Sequence, residues 1–315
     1  MTTLSADEHD RLQSALQSIS TVAGLDFTGA ELIRYTMNAV YYLPAAKVVL
    51  RIAPATKSAA VSRVARVATR LADLDQPTAR LAIGMDKSIE TPGWAATAWT
   101  YLEQTPGHRH RQRDLAKPLL AMHGLHDLGI SLPDWDPVGR SRGRVEEAAV
   151  GSDLDFLSDW SCRELRIPLT DLLDQLLRRC SELETAVASA EWALPIAVIH
   201  GDAHAGNLLT SPDRGVVLCD LDSVTLGPPE WDLVPSAHGV ERFGDPRDHY
   251  GAFAAEYGFD LLHSPNWPLL RDIRELQLVT SVIAGLRGRP EVAVELGHRL
   301  RSFIARDDQT WHRYR

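Results

Sequence analysis

The segment VIHGDAHAGNLL, residues 198–209, gathers His200, Asp202, His204 and Asn207 between apolar flanks. The alternation of His200, Asp202 and His204 could set three metal ligands on one side of an extended segment. No HExxH pattern or second histidine cluster follows to complete such a site. Nucleophilic catalysis has less to recommend it, because the chain has no GxSxG elbow and its cysteines have no histidine close in sequence. A third chemistry combines Asp202 and Asn207 with Asp220 of VVLCDLDS, residues 216–223. An aspartate can orient an attacking hydroxyl and accept its proton, and an asparagine five residues later can reach a metal from the same loop. An aspartate at the end of a short apolar strand then supplies the anionic oxygen that magnesium prefers. Singly, each residue is explained as a turn or strand end. The ordered set, with an apolar strand before each part, favours phosphoryl transfer.

The elements that would position these residues divide the chain in two. Ser5 and Glu8 have capping-box spacing, and Leu12, Leu16 and Ile19 follow at helical intervals. AVYYL (39–43) and KVVLRI (47–52), separated by Pro-Ala-Ala, predict an antiparallel hairpin. The run 58–74 places Val61, Ala65, Ala68 and Leu71 on one helical stripe. Further β-like runs stand at 79–83 and 94–102. Beyond Thr105-Pro106-Gly107 the pattern turns helical, at about 112–127, 169–187, 270–286 and 291–306. The Pro- and Gly-containing segment 131–155 reads as a surface insertion at a substrate entrance. These patterns predict an α+β chain with a β-rich N-terminal lobe over 1–102 and a larger, mainly helical C-terminal lobe over 103–315.

Composition narrows the partners. At 315 residues and 44% hydrophobic content the chain can bury a sizeable core. A formal charge of −9 and the lack of a long basic run argue against nucleic acid. The acidic N-terminal stretch does not read as a signal peptide, and no apolar run approaches the ~20 residues of a membrane span. A cytoplasmic protein without a membrane segment is expected. Cys162, Cys180 and Cys219 show no CxxC spacing and read as buried thiols.

HGDAHAGNLL followed by LCDLDSVTLGPPEWDLV resembles the catalytic and metal-binding loops of the aminoglycoside phosphotransferase and choline kinase-like family. The resemblance implies a bilobal protein-kinase-like fold and transfer of a γ-phosphoryl group from ATP, or GTP, with Mg2+. It implies that Asp202 is the catalytic base, that Asn207 and Asp220 hold magnesium, and that His200 braces the loop. Asp232 corresponds to an aspartate that ties the catalytic loop, and His204 to a packing residue. Asp222 would share a strand face with Asp220 if the strand continues, as a supporting or substrate-facing carboxylate or as a solvated acid.

In the first lobe KVVLRI resembles the strand carrying the family's phosphate-binding cation, with Arg51 where lysine is commoner. Arginine binds phosphate oxygens through a bidentate fork. Strand alternation puts Val49 on the Arg51 face, against the adenine. RYTMNAV (34–40) stands where a glycine-rich loop is usual, and Asn38 matches a family asparagine or serine. Main-chain groups of Thr100, Tyr101 and Leu102 resemble the hinge that hydrogen-bonds a purine. One departure stands out: the helix over 58–74 has no acid before Asp73 to pair with the cation, so the usual ion pair is expected to be absent.

The acceptor implied is a hydroxylated small molecule, cationic in several branches of the family, with aminoglycosides and amino sugars ahead of choline-like compounds. The expected assembly is a monomer or homodimer. A kinase-like nucleotide-binding protein with little turnover is the alternative.

Overall fold

The computed structural model describes residues 5–35 and 38–314 and divides into two compact units. The first comprises residues 1–132 and 205–224, the second residues 133–204 and 225–315.

The first unit opens with helix α1 (Ala6–Ala23), capped by Ser5 with the reciprocal Glu8 contact and ended by Gly24 in the left-handed region. Five strands follow: β1 (Glu31–Tyr35), β2 (Ala39–Leu43), β3 (Val48–Pro54), β4 (Ile89–Thr91) and β5 (Trp94–Thr100), in the spatial order β1-β2-β3-β5-β4, all antiparallel. The AVYYL/KVVLRI hairpin forms with Val40 opposite Arg51. Tyr41, Leu43, Leu50 and Ile52 point inward with Ala96 and Ala98, and Leu12, Leu16 and Ile19 of α1 complete that core. Helix α2 (Ser58–Asp73) buries Val64, Ala65, Val67, Ala68 and Leu71. Helix α3 (Ala116–His123) and the hairpin of β7 (Leu208–Ser211) and β8 (Gly215–Leu218) belong to the same unit.

The β-like run 79–83 is not a strand. Its residues divide their hydrogen bonds: Ala79 N–H donates to Leu218 O, while Ala82 N–H donates to Ala98 O and Arg80 O accepts from Thr100. Only single bridges result, Thr78 to Leu218 and Leu81 to Trp99. The segment thereby fastens the five-stranded sheet to the β7–β8 hairpin.

The second unit is helical: α4 (Gly139–Ala148), α5 (Leu154–Trp160), α6 (Leu169–Ala188), α7 (Glu230–Phe243), α8 (Arg247–Tyr257), α9 (Trp267–Thr280) and α10 (Pro290–Ala305). Its short strands β6 (Ala197–Ile199) and β9 (Thr225–Gly227) pair antiparallel. The segment 131–155 is not a surface insertion. Within it α4 buries Ser141, Val145 and Ala148 and packs on α6 and α9, because its small residues admit close helix approach. No described helix is long and apolar enough to cross a membrane.

A buried charge cluster closes the second unit. Arg242 donates from Nε and Nη2 to the Glu275 carboxylate at 2.6 and 2.9 Å, and Arg271 Nε adds a 2.8 Å bond. The C-terminal stretch covers this cluster: Arg242 Nη1 donates to Gln309 O, Trp311 N–H donates to Arg242 O, and the Trp311 ring lies 4.9 Å from the Arg242 guanidinium. Burial works to raise the Glu275 carboxyl, but the facing His238 and the guanidiniums of Arg242 and Arg271 outweigh it and bring it down to about 2. A depressed carboxylate contributes stability above its unfolded pKa of roughly 4.3, and that stability is lost as pH falls through the folded value. The unfolding free energy is therefore expected to fall between pH 5 and pH 2 by roughly 3 kcal/mol more for the native chain than for Glu275→Gln. Equal acid slopes in urea titrations of the two proteins would refute this.

The expectation of three buried thiols fails at Cys162, which is exposed, while Cys180 is buried and Cys219 half-buried. Cys162 lies in a π-helical turn after α5, Ser161–Leu165, whose buried residues are Ser161 and Leu165. Burial pushes the Cys180 and Cys219 thiols up to about 11 and about 12. A thiol reagent at pH 8 should therefore label Cys162 first, and Cys162→Ser should remove the fast phase. A fast phase persisting in that variant would contradict this order.

Candidate active site

In the second unit the loop after β6 is held by its backbone. The Asp232 carboxylate, fully buried in the first turn of α7, accepts the His200 N–H at 2.6 Å and the Gly201 N–H at 2.8 Å. Gly201 has φ +81°, which suits a glycine at this sharp exit from the strand. Trp231 donates its indole N–H to Gly201 O at 3.1 Å. Both peptide groups flanking Gly201 are thus tied to α7. His200 is fully buried, and its Nδ1 accepts the Asp202 N–H at 3.3 Å, which puts the ring proton of the neutral tautomer on Nε2. The Asp202 side chain is left half-buried.

Other residues of this unit were not singled out from sequence. Glu230, fully buried, accepts the Ala193 and Leu194 N–H groups and so fixes the approach to β6. Arg274 of α9 is a cation whose charge is offset by Asp202, while burial lowers its pKa. The only hint at Glu230 was its place beside Trp231 and Asp232; Arg274 lies 72 residues past Asp202 (274 − 202), and no short-range signal links them.

The chain returns to the first unit between His204 and Ala205. Asn207, buried, precedes β7, and its carbonyl accepts the Cys219 N–H at 2.9 Å. This bond extends the β7–β8 ladder by one step, so Asn207 and Asp220 stand at adjoining ends of one hairpin. The strand does not run on to Asp222. Asp220 turns the backbone into the left-handed region (φ 60°, ψ 61°), which aspartate tolerates better than most residues. The 3-10 turn Leu221–Ser223 follows and carries Asp222.

That turn aims two carboxylates at one cation. Arg51 Nη1 donates to Asp220 Oδ1 at 2.9 Å, and Nη2 donates to Asp222 Oδ2. Partial burial raises the Asp222 carboxyl; Arg51 opposes that rise and Asp220 adds to it. The pair with an acid of the 58–74 helix is absent as expected, since the one acid of α2, Asp73, pairs with Arg70; Arg51 has instead two ion pairs, both from the turn after β8. Along β3, Val49 and Arg51 are half-covered while Val48, Leu50 and Ile52 are buried, so Val49 and Arg51 share a face.

At the end of β5, Thr100 N–H donates to Arg80 O and Tyr101 N–H to Lys47 O, so these two donors, expected to face a purine, are spent within the protein. Leu102 O accepts from the Gln104 carboxamide, and the Tyr101 ring stacks on Tyr42 at 4.0 Å. Asn38 is half-buried just before β2; Thr36 and Met37 of the RYTMNAV run lie outside the described residues.

Asn207 and Asp220 are hard oxygen donors at neighbouring positions, a set that fits magnesium shared with phosphate oxygens. Among the described residues no three His, Cys, Asp or Glu side chains assemble to hold a metal unaided. His200, Asp202 and His204 therefore do not make the three-ligand centre that their alternation suggested.

Comparison with known proteins identifies the family. The model of the phosphotransferase enzyme family (APH) matches residues 36–273. No curated protein matches the chain. An aminoglycoside phosphotransferase from Streptomyces rimosus, solved with ADP and streptomycin, is 19% identical over 84% of this chain and 98% of its own, with a TM-score of 0.59. An amicoumacin kinase solved with AMP-PNP and Ca2+ is 14% identical over 95% and 96%, with a TM-score of 0.67. A choline kinase from Streptococcus pneumoniae is 12% identical over 95% and 99%, with a TM-score of 0.61. At these identities the likeness is one of fold. The match across most of the chain decides the family: the protein belongs to the phosphotransferase enzyme family, a small-molecule kinase by that membership, with an α+β, protein-kinase-like fold.

Proposed function

We propose that the protein transfers the γ-phosphoryl group of ATP to a hydroxyl of a small molecule, an aminoglycoside-like antibiotic or an amino sugar, with Mg2+ as the metal. The observation that carries this reading is the His200–Asp202 loop, clamped through two amides by Asp232, in a chain matching the phosphotransferase family over 36–273. Residues 1–102 act as the nucleotide-binding lobe and 103–315 as the catalytic and substrate-binding lobe. The protein works in the cytoplasm as a monomer or homodimer, and antibiotic resistance is the role that such an acceptor implies.

In this mechanism Asp202 accepts the hydrogen bond of the acceptor hydroxyl and takes its proton as the oxygen attacks the γ-phosphorus and the bond to the β–γ bridging oxygen breaks, releasing ADP. Because His200, Trp231 and Asp232 fix the loop backbone, the carboxylate is oriented before the acceptor arrives. Arg51 offsets charge on the nucleotide phosphates, with Val49 against the base and Asn38 near the phosphates. Asn207 and Asp220 would hold Mg2+, which would supply further neutralisation of phosphate charge. With the Thr100 and Tyr101 amides engaged by Arg80 and Lys47, the purine is served from Leu102. The aminoglycoside phosphotransferase and choline kinase folds that resemble this chain support a polar, amine-bearing acceptor.

A coupled assay of ADP release tests the reading, with ATP or GTP and Mg2+ against aminoglycosides, amino sugars, choline and other hydroxylated antibiotics. Release that requires one compound names the acceptor class. A nucleotide that binds but is never turned over would favour the alternative of a kinase-like binding protein.

A further inference from the structure

Arg51 is held by two carboxylates that differ in what else they do. Asp220 ends the hairpin beside Asn207 and belongs to the proposed metal pair. Asp222, one 3-10 turn further on, does not. Helix α2 packs on this turn, yet it brings no carboxylate to Arg51: its one acid, Asp73, pairs with Arg70 at 3.0 Å. The cation that α2 does direct toward Asp222 is Arg63.

We infer that Asp222 is a positioning residue that keeps the Arg51 guanidinium in place for the nucleotide phosphates, taking the part that a helix-borne carboxylate would otherwise play. This rests on the phosphotransferase reading. A guanidinium has five N–H donors in a rigid fork. Nη2 on Asp222 and Nη1 on Asp220 use opposite arms of that fork. Arg51 can therefore retain Asp222 through Nη2 while Nη1 is exchanged from Asp220 to a phosphate oxygen. A lysine ammonium is a point charge on a flexible stem and has no such division of labour. The same observation accounts for arginine at position 51 and for the missing acid on α2, since Asp222 approaches from the hairpin side and needs a long, forked partner.

The test is calorimetric titration of the full-length protein with ADP, with Mg2+ and again in excess EDTA, for the native chain, Asp222→Asn, Asp222→Glu, Arg51→Gln and the Arg51→Gln/Asp222→Asn double variant. Asp222→Asn should weaken ADP by about tenfold in both conditions, the lower end for a charge-assisted hydrogen bond, and Asp222→Glu should recover most of the loss. The double variant should bind no worse than Arg51→Gln alone, because the two residues act as one unit. Additive losses, or a loss confined to the magnesium titration, would overturn the inference, the latter by assigning Asp222 to the metal. Failure of the native chain to bind ADP or GDP would instead strike the phosphotransferase reading itself.

Discussion

Asp202→Asn is expected to lower kcat by about a hundred- to ten-thousand-fold, the span of a positioned general base, while nucleotide affinity changes little. Asparagine keeps the size of the side chain and one acceptor oxygen but has no useful proton affinity. The His200 N–H and both peptide groups flanking Gly201 are tied to α7, and these bonds do not depend on the side chain at position 202, so the loop should keep its path. Asparagine is preferable to alanine because its carbonyl dipole still faces the charge of Arg274, which Asp202 offsets. The decisive quantities are kcat in the ADP-release assay and the ADP dissociation constant by calorimetry. Turnover within about tenfold of the native enzyme would remove Asp202 from the role of base, because positioned proton transfer is worth more than that.

The second large effect concerns stability. Arg242→Ala is expected to destabilise the fold by about 3 kcal/mol, since it removes two of the three arginine hydrogen bonds to the Glu275 carboxylate, leaving it to Arg271 and His238 in a site where the Arg242 and Glu275 side chains are almost fully buried. The loss extends beyond the ion pair. Arg242 also donates to Gln309 O and lies against Trp311, so the C-terminal stretch is released with it. A midpoint drop of roughly 10 °C is anticipated for a chain of this size. Removing both charges together, as Arg242→Met/Glu275→Leu, should recover much of the loss, because an apolar pair of similar volume avoids the desolvation cost. A double variant as unstable as the single one would show that release of the C-terminal stretch, and not the under-compensated carboxylate, dominates.

Much of the first unit was legible because its signals are local. The Ser5/Glu8 box, the AVYYL/KVVLRI alternation and the α2 stripe each depend on neighbours within about one or two turns. Helix α7 was not, although it carries Asp232: Trp231, Leu233, Val234, Ala237, His238 and Arg242 are buried around its circumference, so it shows no amphipathic stripe. The run 79–83 looked like a strand because its composition is that of one, but its hydrogen-bond partners lie on two different elements. In the site, the residue types of the 200–207 loop and of Asp220 can be read directly from the chain.

Their partners cannot. The family is legible in the chain, from the close spacing of His200, Asp202 and Asn207 and the order in which Asp220 and Asp232 follow, because loop chemistry demands fixed residue types at fixed places. That Arg51 finds its counter-charges on a turn about 170 residues downstream, at Asp220 and Asp222, and not on the adjacent helix α2, is a product of the fold. Nothing in local sequence records which of several carboxylates a cation will meet; that follows from how β3 and the β7–β8 hairpin are brought together, and a left-handed turn at Asp220 sets the direction from which the second carboxylate arrives.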